Sequence, residues 1–322
     1  MKMFIVVLVI LVAMNVNAQW EPDTRLTNSQ GNSYTPPNNA WGIAANGNVV
    51  HTVWYDNRDG NWEIYYKRST SSGINWGPDT RLTNNTAWSV SSAIAVSGNI
   101  VHVAWYDNRD GNAEIYYKRS SDGGITWGAD TRLTNNTAYS EYPSIAVSGS
   151  VVHISWSDYR YGSWQIYYKR STDGGMNWEV DTPLTSSYSA SSTPSIAVSG
   201  SLVHVVWHDG RDDYTEIYYK RSTDDGINWG SDTRLTNNAG YSWYPSIALS
   251  GTLAHVVWAD DRNNNWDIYY KRSTDGGTNW GADTRLSNNI FSGSPSIAVS
   301  GSFVHVVWHD GRDSDYEIYY KL

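Results

Sequence analysis

The chain has 322 residues and a formal net charge of −9, from 23 lysines and arginines against 32 aspartates and glutamates. This acidic balance argues against nucleic acid as a partner, because phosphate backbones are bound by clusters of basic side chains. The absence of cysteine excludes disulfides. The composition includes 18 tryptophans and 24 tyrosines against 3 phenylalanines. Such rings fill cores where their polar edge finds a partner, and they also offer flat surfaces to sugars.

The first 18 residues have the pattern of a secretory signal peptide. One charge, Lys2, precedes an apolar run from Phe4 to Met14, and a small residue, Ala18, ends the segment. The run is shorter than the roughly 20 residues that a membrane-spanning helix needs. We therefore predict cleavage near Ala18 and export of residues 19–322, to the periplasm or the outside, as a single monomeric domain with no membrane span. Removal of Lys2 leaves 22 basic against 32 acidic residues.

Six copies of a unit of about 51 residues fill the rest of the chain. The tryptophan of a His-x-x-Trp segment marks each copy, at Trp54, Trp105, Trp156, Trp207, Trp258 and Trp308. A repeat of 40 to 50 residues that is rich in strand formers is typical of a propeller blade.

The sequence of one full repeat predicts four strands, and the second copy shows them most clearly. They are Ala93–Ser97, Ile100–Tyr106, Glu114–Ser120 and Thr131–Thr134. All are short, rich in β-branched and aromatic residues, and bounded by Gly, Asn and Asp. No segment of the mature chain has a 3.6-residue apolar period, so we expect essentially no helix.

The two ends of the chain predict how the propeller closes. The last copy stops after its third strand, at Leu322, and lacks a fourth. The segment Trp20–Thr27 matches Trp76–Thr83, which contains the fourth strand of the first copy. We predict an all-β, six-bladed propeller of four-stranded antiparallel blades, closed by an N-terminal strand that completes the last blade and protects its edge.

The turn between the third and fourth strands carries the motif Ser-x-Asp-x-Gly-x-x-Trp. It spans residues 120–127, 171–178, 222–229 and 273–280, and the first copy has Ser71 in place of the aspartate, which predicts a weaker hairpin. The aspartate can accept backbone N–H bonds across the turn, the glycine takes a left-handed conformation, and the tryptophan seals the hairpin.

This motif resembles the Asp-box, or BNR repeat, of the sialidase superfamily and related propellers. The resemblance covers the whole mature chain. It implies that the motif is a structural staple on the face opposite an active site. The residues concerned are Asp122, Asp173, Asp224, Asp275, Trp76, Trp127, Trp178, Trp229 and Trp280.

The opposite face should carry the turns between strands two and three and the links between blades. An Asp-x-Arg sequence begins each of those turns: Asp56/Arg58, Asp107/Arg109, Asp158/Arg160, Asp209/Arg211, Asp260/Arg262 and Asp310/Arg312. The six arginines could bind carboxylates or sugar hydroxyls. Alternatively, each pair forms a salt bridge that fixes its own hairpin. Calcium is a weaker third interpretation, because arginine occupies a position that needs an oxygen ligand.

The links between blades carry aromatic residues at shifting positions, namely Trp88, Tyr139 with Tyr142, Tyr188, Tyr241 with Trp243 and Tyr244, and Phe291. Of these, Trp88, Tyr139, Tyr188 and Trp243 are our candidate ligand contacts. Variation on one face of a uniform framework is what a binding surface would show, but surface loops also drift in this way.

One histidine recurs in the second strand of every blade, at His51, His102, His153, His204, His255 and His305. Because each is alone in its strand between apolar neighbours, we interpret it as a packed side chain bonded to a neighbouring blade. No metal and no cofactor is predicted.

Three functions stay open. Sialidases resemble one another in an arginine triad, a Tyr–Glu pair, an aspartic acid and an early Arg-Ile-Pro segment, and this chain has no Arg-Ile-Pro. Its early Arg25 belongs to a strand repeated at Arg81, Arg132, Arg234 and Arg285 and replaced by Pro183 in the third copy. No catalytic residue can therefore be assigned. Multivalent glycan binding is the first hypothesis, a divergent sialidase or other glycoside hydrolase the second, and an extracellular scaffold the third.

Overall fold

The computed structural model describes residues 24–35, 42–288, 291–312 and 315–322. These ranges form a six-bladed β-propeller of antiparallel blades, as predicted. They contain strands and no helix, and thus no helix with the length and apolarity that crossing a membrane requires. The predicted signal peptide, residues 1–18, lies outside the described residues.

The strands follow the chain from blade one to blade six. Blade one has β1 (Ser33–Tyr34), β2 (Ile43–Asn46), β3 (Val49–Asp56), β4 (Glu63–Ser69) and β5 (Thr80–Arg81). Blade two has β6 (Ser89–Ser97), β7 (Ile100–Asp107), β8 (Glu114–Ser120) and β9 (Thr131–Arg132). Blade three has β10 (Ser140–Ser148), β11 (Val151–Asp158), β12 (Gln165–Ser171) and β13 (Thr182–Pro183). Blade four has β14 (Ser191–Ser199), β15 (Leu202–Asp209), β16 (Glu216–Ser222) and β17 (Thr233–Arg234). Blade five has β18 (Ser242–Ser250), β19 (Leu253–Asp260), β20 (Asp267–Ser273) and β21 (Thr284–Arg285). Blade six has β22 (Ser292–Ser300), β23 (Phe303–Asp310) and β24 (Glu317–Lys321).

Three strand boundaries of blade two differ from the prediction, and the smallest difference is that β7 ends at Asp107, one residue later than expected. The inner strand of blade two begins at Ser89, four residues earlier than expected, because a bulge at Val90 lets the chain continue to pair with β7. Ser91 in this bulge has a φ of 53°. The outer strand is shorter than expected. After Arg132 the ladder ends, and the side chain of Thr134 accepts the N–H of Ile115 instead.

The hydrophobic core lies between adjacent blades. Trp156 of blade three is fully buried in a cluster that also contains Ala104 and Tyr117 of blade two. The corresponding tryptophans of the next two blades, Trp207 and Trp258, are also fully buried. Each blade therefore buries the face of its neighbour, which explains why one repeat could not fold alone.

The hairpins with the Ser-x-Asp-x-Gly-x-x-Trp motif also join neighbouring blades. Gly175, with a φ of 83°, lies so close to blade two that a Cβ at this position would be 2.0 Å from the hydroxyl of Tyr117. Trp178 packs edge-on against the same tyrosine, with ring centroids 5.0 Å apart. We expected the tryptophan to seal its own hairpin, and the structure shows that it also packs on the preceding blade.

Closure by the N-terminal strand stays a prediction, because Trp20–Asp23 lies outside the described residues. The neighbouring segment supports it. The carbonyl of Leu26 accepts a bond from Lys67 Nζ at 2.5 Å. This repeats the contact that later blades make with the outer strand of the blade before them, through Lys118, Lys169, Lys220 and Lys271. Residues 24–27 thus stand beside blade one where an outer strand of blade six belongs.

A charge reversal tests this closure. In blades one, two and four, an outer-strand arginine binds a buried glutamate, as Arg81 does with Glu63 at 2.8 Å. The matching pair at the closure is Arg25 and Glu317, and Glu317 is exposed in the described structure. We expect Arg25→Glu to lower the free energy of unfolding by about 1–3 kcal/mol and Glu317→Arg to restore most of it in the double variant. Urea unfolding of the mature protein measures both. Independent effects of the two substitutions would contradict closure by this strand.

Candidate functional site

The Asp-x-Arg turns form compact ion pairs inside single hairpins. In blade two, Arg109 Nε donates to Asp107 Oδ1 at 2.9 Å and Nη2 donates to Oδ2 at 2.6 Å. The carboxylate also accepts bonds from Ser89 Oγ at 2.7 Å and Trp105 Nε1 at 3.1 Å. Burial alone would raise the pKa of Asp107, but these bonds outweigh it and hold the pKa below its usual range.

A second carboxylate completes the surroundings of each arginine. Arg109 Nη1 donates to Asp130, which directly precedes the outer strand β9, at 2.7 Å, and the guanidinium lies over the ring of Tyr116, 4.3 Å from its centroid. Blades one, three, four and five repeat this arrangement with Asp79, Asp181, Asp232 and Asp283. These aspartates were not predicted as part of the site, although their position before each Thr-Arg or Thr-Pro pair repeats as regularly as the arginines.

This geometry favours the salt-bridge interpretation of the ring of turns. The six aspartates Asp56, Asp107, Asp158, Asp209, Asp260 and Asp310 are fully buried. Each binds the arginine of its own turn, namely Arg58, Arg109, Arg160, Arg211, Arg262 and Arg312. A ligand could reach the outer edge of a guanidinium, but it could reach a buried aspartate only by displacing that ion pair.

A row of buried carboxyl groups at the start of the third strands was also missed. Glu114 is fully buried and accepts bonds from Arg132 Nη2 at 2.9 Å and Thr134 Oγ1 at 2.5 Å. In blade three the arginine is replaced by Pro183, and the glutamate is replaced by Gln165. The two replacements belong together, because a buried carboxylate without its cation is costly whereas a neutral amide is not.

The repeated histidines are packed, as expected, but their partner lies in their own blade. His102 Nδ1 is 2.7 Å from the hydroxyl of Tyr117 on the next strand. The expectation that each histidine bonds to a neighbouring blade was therefore wrong, because the partner is a tyrosine of the same blade. The tyrosine, rather than the histidine, extends toward the next blade, where it meets Gly175. Burial first, and then the nearby Arg119, lower the pKa of His102 to about 3.

The Ser-x-Asp-x-Gly-x-x-Trp hairpins bind their own backbone. Asp122 Oδ1 accepts the N–H groups of Ile125 at 3.0 Å and Thr126 at 2.9 Å, and Ser120 Oγ donates to it at 2.7 Å. Asp173, Asp224 and Asp275 make equivalent bonds. Ser71 in blade one accepts a single backbone N–H, from Asn75 at 2.8 Å, so that hairpin is present with fewer bonds. The tryptophans of the motif are Trp76, Trp127, Trp178, Trp229 and Trp280.

The hairpins lie on one face of the propeller, which we call the hairpin face. Gly123 N donates to Asn99 O at 2.8 Å, which ties the hairpin to the turn between strands one and two. The links lie on the opposite face, which we call the link face. There, Asn108 N donates to Trp88 O at 3.2 Å, so the link and the Asp-x-Arg turn support each other.

The link face exposes large aromatic side chains. Trp88, Tyr139 and Tyr241 occupy the same position before an inner strand and are 58%, 52% and 42% exposed. Tyr188 lies near the equivalent point of blade four and is fully exposed. Trp243 differs, because it packs against Trp266 with ring centroids 5.2 Å apart. Of the four candidate contacts, Trp88, Tyr139 and Tyr188 thus lie exposed on separate links of one face, whereas Trp243 lies within β18 and is partly buried.

A second group of residues lies near the axis on the same face and was not predicted from the sequence. Tyr106 and Tyr142 pack edge to face with centroids 5.9 Å apart. Burial raises the pKa of the adjacent Glu141 above its usual range. Burial, and then the Glu141 carboxylate, raise the pKa of Tyr142. Tyr142 takes a φ of 55° in the bulge of the inner strand, a conformation that is uncommon for an aromatic residue.

The axis itself contains a cavity of about 1110 Å³. Its wall comes mainly from the small apolar side chains of the inner strands, including Ala95, Ala146, Ala197 and Ala298. Such a wall offers few groups that could bond to sugar hydroxyls. Among the described residues, no group of three or more His, Asp or Glu is placed to hold a metal ion.

Comparisons with known proteins find similarity in structure alone. No family model and no curated protein matches the chain. Trypanosoma rangeli sialidase in complex with a difluorosialic acid is similar with a TM-score of 0.60 and 12% identity, over 86% of this chain and 52% of the sialidase. Phage phi92 endosialidase is similar with a TM-score of 0.58 and 11% identity, over 87% of this chain and 64% of the phage protein.

A third similar structure is the α-L-arabinofuranosidase Arb93A of Fusarium graminearum, with a TM-score of 0.55 and 12% identity over 88% of this chain and 94% of that enzyme. This chain therefore has the fold of the sialidase-like six-bladed β-propellers. It spans about half the length of the sialidase, and at these identities the similarity establishes the fold and no activity.

Proposed function

We propose that this protein is a secreted, non-catalytic propeller that binds glycans at several points of its link face. The observation that carries the proposal is the set of exposed aromatic side chains on successive links, each beside asparagines and serines. Aromatic faces stack on the apolar faces of sugar rings, while neighbouring amides and hydroxyls bond to sugar hydroxyls. Several weak sites on one rigid scaffold bind a repetitive glycan by avidity.

Other features support the proposal. The similar structures named above are, by their names, proteins that act on carbohydrates. The hairpin motif resembles the Asp-box of that superfamily, and residues 1–18 resemble a signal peptide. Within the described residues, the arginines of the Asp-x-Arg turns are already paired with carboxylates, which leaves the aromatic links as the main contact surface.

Glycan-array screening of the mature protein, followed by titration calorimetry with the best glycan, tests this function. Combining Trp88→Ala, Tyr139→Ala and Tyr241→Ala should weaken binding by at least tenfold, because each substitution removes a stacking surface. Ile125→Ala with Ile227→Ala is the matched control, since these side chains are similarly exposed but lie on the hairpin face. Failure to bind any glycan at high protein concentration would reject the proposal. A protein partner captured through the same aromatic residues would instead support a scaffold.

A glycoside hydrolase is the second candidate, and Glu141 is the observation that favours it. A carboxyl group with a raised pKa beside two tyrosines is a candidate proton donor or base. The blade repeats lack a counterpart, because the equivalent position is valine, serine, tryptophan or glycine in blades two, four, five and six. Turnover of a fluorogenic glycoside that is lost in Glu141→Gln would establish this activity. Absence of turnover across a panel of such substrates would leave binding as the function.

A further inference from the structure

One open cavity on the link face departs from the repeat. A cavity of about 260 Å³ lies between blades four and five, with Tyr214, Tyr241 and Trp266 among its walls and Asp261 and Asn265 at its edge. Pockets for drug-sized ligands occupy roughly 300–1,000 Å³, so this cavity suits about one sugar ring. It combines aromatic surfaces with a small number of polar groups, as carbohydrate sites require.

Tyr214 occupies a position where other blades have an asparagine that binds the backbone of the link. At the equivalent position of blade one, Asn61 Nδ2 donates to the carbonyls of Asn85 and Ala87 at 2.8 and 2.7 Å. Tyr214 is 38% exposed and packs edge-on against Tyr241, with centroids 5.3 Å apart. Blade four thus lacks the bonds that this asparagine makes with the link and presents an aromatic surface there instead.

Asp261 uses one carboxylate oxygen to bind the backbone of the link. Its Oδ1 accepts the N–H of Tyr241 at 2.5 Å, and a Cβ at Gly240 would lie 2.4 Å from the same oxygen. In the described part of the chain, no protein group donates to Oδ2. A glycine in the link therefore makes room for a carboxylate whose second oxygen can accept a ligand hydroxyl.

The charge at the cavity disfavours an anionic ligand. Among the described residues, the one cation that lines the cavity is Arg262. It donates Nε and Nη2 to Asp260 at 2.7 and 2.6 Å and Nη1 to Asp283 at 2.7 Å. Two carboxylates thus already surround the guanidinium, and Asp261 adds a third negative charge. A sugar carboxylate would meet net repulsion and would have to displace an existing ion pair.

We propose that this cavity binds one neutral hexopyranose unit and discriminates against sialic acid. The inference rests on the proposed function, because it names the class of sugar that one glycan site accepts. It also separates this chain from the sialidase of similar fold, whose crystallised ligand is a sialic acid derivative. Tyr214 and Trp266 would contact the ring faces, and Asp261 would accept a hydroxyl proton in a hydrogen bond.

Two substitutions test the site and should preserve the structure of the propeller. Tyr214→Asn installs the residue that blades one and two have at this position. Asp261→Asn keeps the backbone bond, as Asn57 Oδ1 shows by accepting the N–H of Asn32 at 2.7 Å in blade one. Each variant should bind methyl glucoside, galactoside or mannoside about tenfold more weakly than the parent protein, measured by calorimetry. Ile125→Ala, an exposed position on the hairpin face, should leave hexoside binding unchanged.

The outcomes separate the two proposals. Two results with the parent protein alone would support the site. A neutral methyl hexoside should bind at least tenfold more tightly than N-acetylneuraminic acid, and the bound sugar should show nuclear Overhauser contacts with the Trp266 indole. Equal binding of N-acetylneuraminic acid, or unchanged hexoside affinity in both variants, would overturn it while leaving glycan binding elsewhere on the link face intact. Absence of all glycan binding by the parent protein would reject the proposed function itself.

Discussion

Between pH 6.5 and pH 5 the free energy of unfolding should fall by several kcal/mol. Burial lowers the pKa of His102 to about 3 and the pKa values of His51, His153 and His204 to about 4, and the nearby strand-three arginines lower them further. These histidines stay neutral in the folded protein, whereas they gain a proton near pH 6.5 once unfolded. Folding is therefore favoured above pH 6.5 and loses stability as the pH falls toward the folded pKa values.

The size of this effect follows from the linkage between proton binding and stability. Each buried histidine should account for a loss of about 2 kcal/mol between pH 6.5 and 5, since one pKa unit corresponds to about 1.4 kcal/mol. Carboxylates with lowered pKa values, such as Asp107, titrate below this window. Burial raises the pKa of Glu141 and Asp267, so these two groups act in the opposite direction.

Urea unfolding at several pH values measures the effect, and His153→Gln provides the control. The hydroxyl of Tyr168 is 2.7 Å from His153 Nδ1, and a glutamine amide can bond to the same hydroxyl without titrating. The variant should lose about 2 kcal/mol less than the parent protein between pH 6.5 and 5. Equal stability of the parent protein at both pH values would show that the histidines are not buried in the neutral form.

Asp209→Ala should destabilise the protein by about 3–5 kcal/mol, because it removes one member of a buried ion pair. The carboxylate is fully buried and accepts bonds from Ser191 Oγ at 2.7 Å, Trp207 Nε1 at 2.8 Å and Arg211 Nη2 at 2.6 Å. The substitution leaves all of these donors without their acceptor. The loss should appear as a lower urea midpoint, and the variant should fold at reduced temperature.

Asp232→Ala is the matched control, because Asp232 binds the same arginine from a partly exposed position. Its Oδ2 is 2.6 Å from Arg211 Nη1, and its side chain is 22% exposed. We expect a loss of about 1 kcal/mol or less, since solvent can replace a partly exposed carboxylate. If Asp209→Ala left stability unchanged but abolished glycan binding, the aspartate would be a ligand contact and the salt-bridge interpretation would fail.

The blade architecture could be predicted because its determinants are local and repeated six times. The limits of strand three, Glu114–Ser120, were predicted without error, since a β-rich run lies between polar turns. The start of the inner strand was not, because pairing of Ser89 with Asp107 depends on a bulge and on a side-chain bond across the blade. The strand propensity of residues 89–92 does not predict that hydrogen bond.

The candidate site could be predicted only in part. The face that carries the links follows from strand order, and so does the exposure of aromatic residues on it. The roles of the Asp-x-Arg pairs could not be decided, because two charges two residues apart are compatible with a ligand or with each other. The choice depends on Asp130, just before the outer strand, and on Tyr116 in β8, which both contact Arg109.

The sequence by itself determined the period, the strand content and the number of blades, since hydrophobic alternation and turn residues act over a few positions. Tertiary structure alone decided which polar groups form hydrogen bonds and ion pairs within the propeller and which face solvent. Burial, ion pairing and stacking depend on residues that are distant in the chain, as with Tyr117 under Gly175 and Tyr214 beside Tyr241. For this reason the repeated charges belong to the scaffold, while the residues that depart from the repeat define the proposed sugar site.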